Sequence, residues 1–89
     1  MTKYKPGDLV SVDNYWDQGE EVFESGIMLI EGHHEHPHTE YGVYEVNCLS
    51  GTIAFVYINA SVFDKLTCTT YLGNINEDNA LRVLYGRNS

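Results

Sequence analysis

Hydrophobic positions along the 89-residue chain fall in short runs, and polar, glycine-containing connections separate these runs. Such spacing is typical of small all-β domains. In one run, Tyr44 and Val46 share a face, because successive side chains of a strand point to opposite sides. Five runs have the length and composition of strands: residues 9–12, 26–31, 41–47, 52–58 and 65–71. The pattern therefore predicts a mainly β fold with five strands.

The last part of the chain suits two kinds of element. Leu84 follows Leu81 by three residues and Ala80 by four, which is the spacing of one helix face. Gly86 is placed to end such a helix, yet the same residues also suit an extra strand. A short C-terminal helix and an extra strand over residues 77–85 thus both remain open. Upstream, residues 59–61 predict a short turn before the fifth strand.

The segments resemble SH3-like barrels, in particular the small SH3-like barrel proteins common in tailed-phage genomes. Four segments carry the resemblance: residues 6–10, 26–30, 44–46 and 53–58. It covers residues 5–71 and implies a small five-stranded SH3-like barrel. The tail from Leu72 and the histidine-rich connection depart from the family pattern. The resemblance implies no function, because barrels of this kind serve many unrelated roles.

Length and charge limit the domain organisation and the partners. A chain of 89 residues has no room for two cores, so residues 1–89 predict a single domain, with the barrel over 5–71 and a C-terminal extension over 72–89. The net charge of −8 repels phosphates and anionic lipids, which favours a protein partner over nucleic acid or membrane. No membrane-length apolar run and no signal-like start are present, so a cytoplasmic or virion location is expected.

All four histidines, His33, His34, His36 and His38, lie within six residues. Imidazole nitrogens are good ligands for Zn²⁺ and Ni²⁺, and two or three of them could share one ion if the connection folds back. In extended backbone His34 and His36 would share a face. The other interpretation is a solvated polar loop. We expect no cofactor, and a Zn or Ni site on these four histidines is the alternative.

Aromatic side chains suggest a partner-binding surface. Residues 13–25 form a long connection in which Tyr15, Trp16 and Phe23 lie among acidic residues, and long connections often bind ligands. Tyrosine and tryptophan are favoured at interfaces, so we predict binding by these three residues together with Tyr41 and Tyr44. A basic or proline-rich partner suits aromatics among acids. The alternative is that Trp16 and Phe23 fold inward and cap the core.

The chain has no glycine-rich phosphate loop and no activated nucleophile, so no enzyme is predicted. The leading hypothesis is a non-enzymatic protein-interaction or structural accessory domain of a larger assembly, and the resemblance implies a phage protein. One alternative is a metal-binding protein that uses the histidines. Another is an acidic nucleic-acid mimic, because ten of the thirteen acidic residues lie between Asp8 and Glu45. Homo-oligomerisation is left open.

Overall fold

Short strands are the main regular elements of the computed structural model, which describes residues 2–13, 15–17, 20–23, 25–50 and 55–85, with the backbone alone for 15–17 and 20–23. The elements in chain order are β1 (Asp8–Val12), β2 (Tyr15–Asp17), β3 (Glu20–Phe23), β4 (Gly26–His34), β5 (Val43–Cys48), β6 (Phe55–Asn59), α1 (Ala60–Asp64), β7 (Thr69–Asn74) and α2 (Asn79–Tyr85).

Five of these strands form one antiparallel sheet in the order β6-β5-β4-β1-β7. The mainly β fold with a five-stranded sheet is thus confirmed. Strands β6 and β7 lie at opposite edges and do not pair with each other, so the sheet is open in the part of the chain that is described. The closed barrel that the resemblance implied is not seen there.

A tight turn leads into β1. The Asp8 amide donates to the Lys5 carbonyl oxygen at 3.1 Å, and Gly7 has a φ of 93°. Proline at the second position and a positive φ at the third define a type II turn, which favours glycine there. The Gly7 amide then donates to the Ile30 carbonyl oxygen at 2.8 Å, which ties the turn to β4.

The core lies on one face of the sheet, with α1 and the N-terminal segment packed over it. Alternation along each strand sends every second side chain toward this face. The buried core side chains are Tyr4, Val10, Val12, Met28, Ile30, Tyr44, Val46, Ile58, Ala60, Phe63 and Leu66. On the opposite face Leu9 pairs with Leu29, and both are buried as well. Each such aliphatic side chain contributes about 1.5–3 kcal/mol when it leaves water.

Two connections contain elements that the sequence did not indicate. The stretch 13–25, expected to be irregular, contains the hairpin of β2 and β3. Strands of three and four residues are too short to show a clear alternation. The turn expected at residues 59–61 is the start of α1. The Asn59 side-chain oxygen accepts the amides of Ser61 at 2.9 Å and Val62 at 3.3 Å, which caps the helix.

Residues Asn79–Tyr85 are helical, so the extra strand considered for residues 77–85 is wrong. The Asp78 carboxylate accepts the amides of Ala80 at 2.9 Å and Leu81 at 3.2 Å and begins α2. The fifth strand of the sheet, β7, begins four residues later than predicted and extends into the expected C-terminal extension. A side chain at Gly73 would collide with Leu81, so the absence of a Cβ there leaves room for the helix.

Candidate functional site

Strand β4 extends to His34, so the first two histidines are strand residues and face opposite sides of the sheet. On the core side, the His33 ring packs edge-on against Tyr44 with ring centroids 5.8 Å apart. Its Nε2 donates to the carbonyl oxygen of Tyr41. On the outer face, Nε2 of His34 donates to Oε1 of Glu45 at 2.6 Å. The sheet therefore separates the two imidazoles.

The other two histidines lie in the connection between β4 and β5. The rings of His36 and His38 are 5.6 Å apart, and the His38 amide donates to Nδ1 of His36 at 3.2 Å. An open depression of about 470 Å³ lies here, and its lining includes His33, Glu35, His36 and Glu40. Within the described ranges, no three His, Cys, Asp or Glu side chains are grouped to hold a metal ion. The metal site on all four histidines stays a prediction.

The predicted partner-binding aromatics lie in different parts of the fold. Tyr15 and Trp16 belong to β2 and Phe23 to β3. Their side chains lie outside the described part of the structure, so a binding surface there stays a prediction. Tyr41 is 38% exposed and borders the depression beside the histidines.

Tyr44, by contrast, is placed in the core and has no exposed surface. It shares the inward face of β5 with Val46, as the alternation predicted, and this face carries the core. Its hydroxyl donates to Oδ1 of Asp64 at 2.6 Å and accepts the Tyr4 amide at 3.1 Å. Burial, together with the bond to Asp64, raises the pKa of Tyr44 well above its ordinary range. Tyr44 is therefore a core residue and not a surface contact in this fold.

An aromatic surface that the sequence analysis missed lies on the outer face of β6. Phe55 is 46% exposed and Tyr57 is 59% exposed. Their rings meet edge to face with centroids 5.5 Å apart, a favourable aromatic geometry. The His34 ring continues the row at 6.3 Å from Tyr57. We call Phe55, Tyr57 and His34 the aromatic strip.

The register of β6 against β5 explains why these rings face outward. Val56 pairs with Val46 and Ile58 with Tyr44, and this set lies on the core face. Phe55 and Tyr57 alternate with them and point away. The signal in the sequence was this alternation of aromatic and aliphatic residues. Because residues 53–58 are all apolar, the sequence alone did not show which set faces the core.

The strip borders an acidic part of the sheet. Strands β4, β5 and β6 contain two carboxylates, Glu31 and Glu45, and no lysine or arginine. Glu45 pairs directly with Tyr57 in the register and accepts the bond from His34. This bond holds the imidazole beside Tyr57 and leaves a carboxylate next to the aromatic surface. The arrangement suits contact with an apolar or cationic group.

The fold and the strip together define a small mainly β domain with an exposed aromatic surface on an edge strand. No protein-family model, curated protein or solved structure matches this chain. Among the residues described, no helix has the length and apolar character needed to cross a membrane.

Proposed function

We propose that this chain is a non-enzymatic protein-interaction domain that binds its partner through the aromatic strip. The observation that carries this proposal is the exposure of Phe55 and Tyr57, 46% and 59%, side by side on one strand. Aromatic side chains are enriched among the residues that dominate binding energy at protein interfaces. Adjacent exposed rings of this size are the strongest such feature among the described residues.

The way the strip is held supports the proposal. Both aromatic side chains project from a strand, which fixes their backbone, and the contact between their rings restricts their rotamers. His34 is held by the bond to Glu45. A surface ordered before binding loses less conformational entropy when a partner docks.

The strand order also supports a finer description of the fold. The hairpin of β2 and β3 occupies the long connection after β1, and the last strand returns to pair with β1. We propose that the domain is an SH3-like barrel opened between β6 and β7, and that it serves as an accessory part of a larger assembly. The resemblance to tailed-phage proteins supports a phage assembly as the setting.

Site-specific photo-crosslinking tests the function. p-Benzoylphenylalanine replaces Tyr57 in one variant and Val83 in a matched control, which is 84% exposed and lies on α2. Both variants are irradiated in the cells that naturally make the protein, and adducts are analysed by mass spectrometry. We expect a discrete protein adduct from position 57 and none of the same mass from position 83.

Identical adduct patterns at the two positions, or no protein adduct at position 57, would contradict the proposal. Folding of both variants is checked first by circular dichroism, and if the position-57 variant lacks the wild-type spectrum it is replaced by one labelled at Phe55. Since Phe55 is the other exposed aromatic ring of the strip, we expect the variant labelled at position 55 to give the adduct expected from position 57.

A further inference from the structure

Strand β6 leaves one of its two edges open in the described sheet, since it pairs with β5 alone. Natural sheets usually protect such edges with lysine, proline or a bulge, because an open edge invites pairing with another strand. The sequence of β6, Phe-Val-Tyr-Ile-Asn, has no charge and no proline. Its register with β5 is continuous, without a bulge. The edge therefore lacks all three forms of protection.

The backbone groups that point to the open edge can be identified from the register. The Ala60 amide donates to the Gly42 carbonyl oxygen at 2.9 Å, and Gly42 and Ala60 lie opposite each other next to the pair Val43–Asn59. In an antiparallel pair, hydrogen-bonded and non-hydrogen-bonded positions alternate. Val56 and Ile58 thus bond to β5, while the N–H and C=O of Phe55 and Tyr57 point to the open edge.

The same two residues therefore present backbone groups at the edge and aromatic side chains on the outer face. A strand added at this edge would bond to Tyr57, and every second side chain of that strand would lie beside the strip. The carboxylate of Glu45, which pairs with Tyr57 in the register, lies on this face. Lysine or arginine at the alternate positions would contact both the aromatic rings and this carboxylate.

The net charge of the protein also favours a lysine- or arginine-rich segment as the added strand. The protein carries −8, so a second copy or an acidic segment is repelled and a basic segment is attracted. We propose that β6 accepts an extended, lysine- or arginine-rich segment of a partner protein as an additional strand of the sheet. This inference rests on the proposed function and deepens it, since it specifies how the strip is used and by what chemistry.

Fluorescence anisotropy with synthetic peptides tests the inference. The probe is a labelled ten-residue peptide that alternates lysine with valine. We expect it to bind the wild-type protein, and to bind the double variant F55A/Y57A at least about tenfold more weakly. V83A, which shortens an exposed apolar side chain on α2, should bind as the wild type does. Raising the salt concentration should weaken binding, because the attraction is electrostatic.

Two altered peptides, measured with the wild-type protein, separate backbone pairing from side-chain contact. One peptide has N-methyl groups on every lysine and the other on every valine, so each loses the donors of one strand edge. We expect one of the two to lose at least about tenfold in affinity and the other to bind normally, since an added strand pairs through one edge. Replacing lysine by glutamate should abolish binding.

Three results would overturn the inference. Normal binding by both methylated peptides would exclude strand addition. Stronger, strip-dependent binding of a proline-rich peptide would indicate a different ligand. A dimer in analytical ultracentrifugation that blocks the peptide would show that β6 pairs with a second copy. The crosslinking experiment at position 57 is independent of these results, so the proposed function can stand where the strand-addition mode fails.

Discussion

Tyr44 places a polar atom inside the apolar core, and three segments of the chain meet there. Its hydroxyl joins β5 to Asp64 at the end of α1 and to the amide of Tyr4. The Tyr44 ring packs against Tyr4 and Phe63 with centroids 6.0 and 5.7 Å apart. Asp64 also accepts the Lys3 amide at 3.1 Å. One hydroxyl thus connects the N-terminal segment to the sheet and the helix.

The substitution Tyr44→Phe keeps the ring and removes this hydroxyl. We expect it to lower the free energy of unfolding by about 1–3 kcal/mol, because the buried Tyr4 amide loses its acceptor and the Asp64 carboxylate loses one of its two donors. Urea denaturation measures the change. Tyr71→Phe is the matched control: Tyr71 is 55% exposed, and its hydroxyl donates to Oδ1 of Asp8 at 3.2 Å. A loss in Tyr44→Phe no larger than in Tyr71→Phe would contradict this role.

The raised pKa of Tyr44 also predicts how stability changes in alkali. Half of ordinary tyrosine side chains are deprotonated at pH 10.0. Because its pKa is raised, Tyr44 keeps its proton above this pH in the folded protein. The folded state then binds more protons than the unfolded chain, so stability falls as the pH rises above this value. Urea denaturation at several pH values should show a steeper decline in the wild type than in Tyr44→Phe. Parallel declines would contradict the assignment.

At the scale of elements, the Asn59 side chain caps the N-terminus of α1. Asn59→Ala removes the oxygen that accepts the amides of Ser61 and Val62. We expect a loss of about 1 kcal/mol in the free energy of unfolding, which is typical for removal of an N-cap side chain. Ser61→Ala is the control, since it keeps the capped amide. Equal stability of Asn59→Ala and the wild type would show that the helix forms without the cap.

The strands were predictable where alternation and length were clear. Tyr44 and Val46 were correctly placed on one face of β5, and the segments that became β1 and β4 were recognised. The hairpin of β2 and β3 and the helix α1 were missed because they are too short to show a period. The aromatic strip was missed for another reason: residues 53–58 are all apolar, so the sequence did not show that Phe55 and Tyr57 would be the set that points away from the core.

The positions of the four histidines lead to a prediction about the affinity for Zn²⁺. His33 and His34 each donate through Nε2 to a neighbour and lie on opposite faces, which leaves His36 and His38 as the closest imidazole pair. Since zinc sites usually have four ligands, we expect Zn²⁺ to bind more weakly than about 1 µM. Calorimetric titration should show binding reduced by His36→Ala and unchanged by His34→Ala. Nanomolar affinity, or a loss in His34→Ala, would show that the segment refolds around the ion.

At the scale of the whole molecule, a buried polar cluster joins β1 to the end of β7, two strands that are far apart in the chain. The Asp8 carboxylate accepts the Lys5 amide at 2.9 Å and Nδ2 of Asn74 at 2.8 Å. Both Asp8 and Asn74 are 4% exposed. The Ile75 amide donates to the Gly7 carbonyl oxygen at 2.9 Å. These bonds hold β7 against β1.

Asp8→Asn tests this connection with little change in shape. The new amide cannot accept at both oxygen positions, so either Asn74 or Lys5 loses its acceptor within a buried site. We expect a loss of about 1–3 kcal/mol in the free energy of unfolding. Hydrogen exchange should also become faster for the amides of β7 than for those of β5. Unchanged exchange in β7 would show that the cluster does not hold the strand.

The place of β7 beside β1 has a consequence for how the protein is made. Asp8 and Asn74 are 66 residues apart in the chain, and ribosomes deliver the N-terminal strand first. In a nascent chain that ends before residue 69, β7 has not been made, so one edge of β1 has no strand to pair with. Contacts between such distant residues also slow folding. During synthesis the β1 edge that β7 will cover therefore stays free to pair with other strands until the last strand arrives.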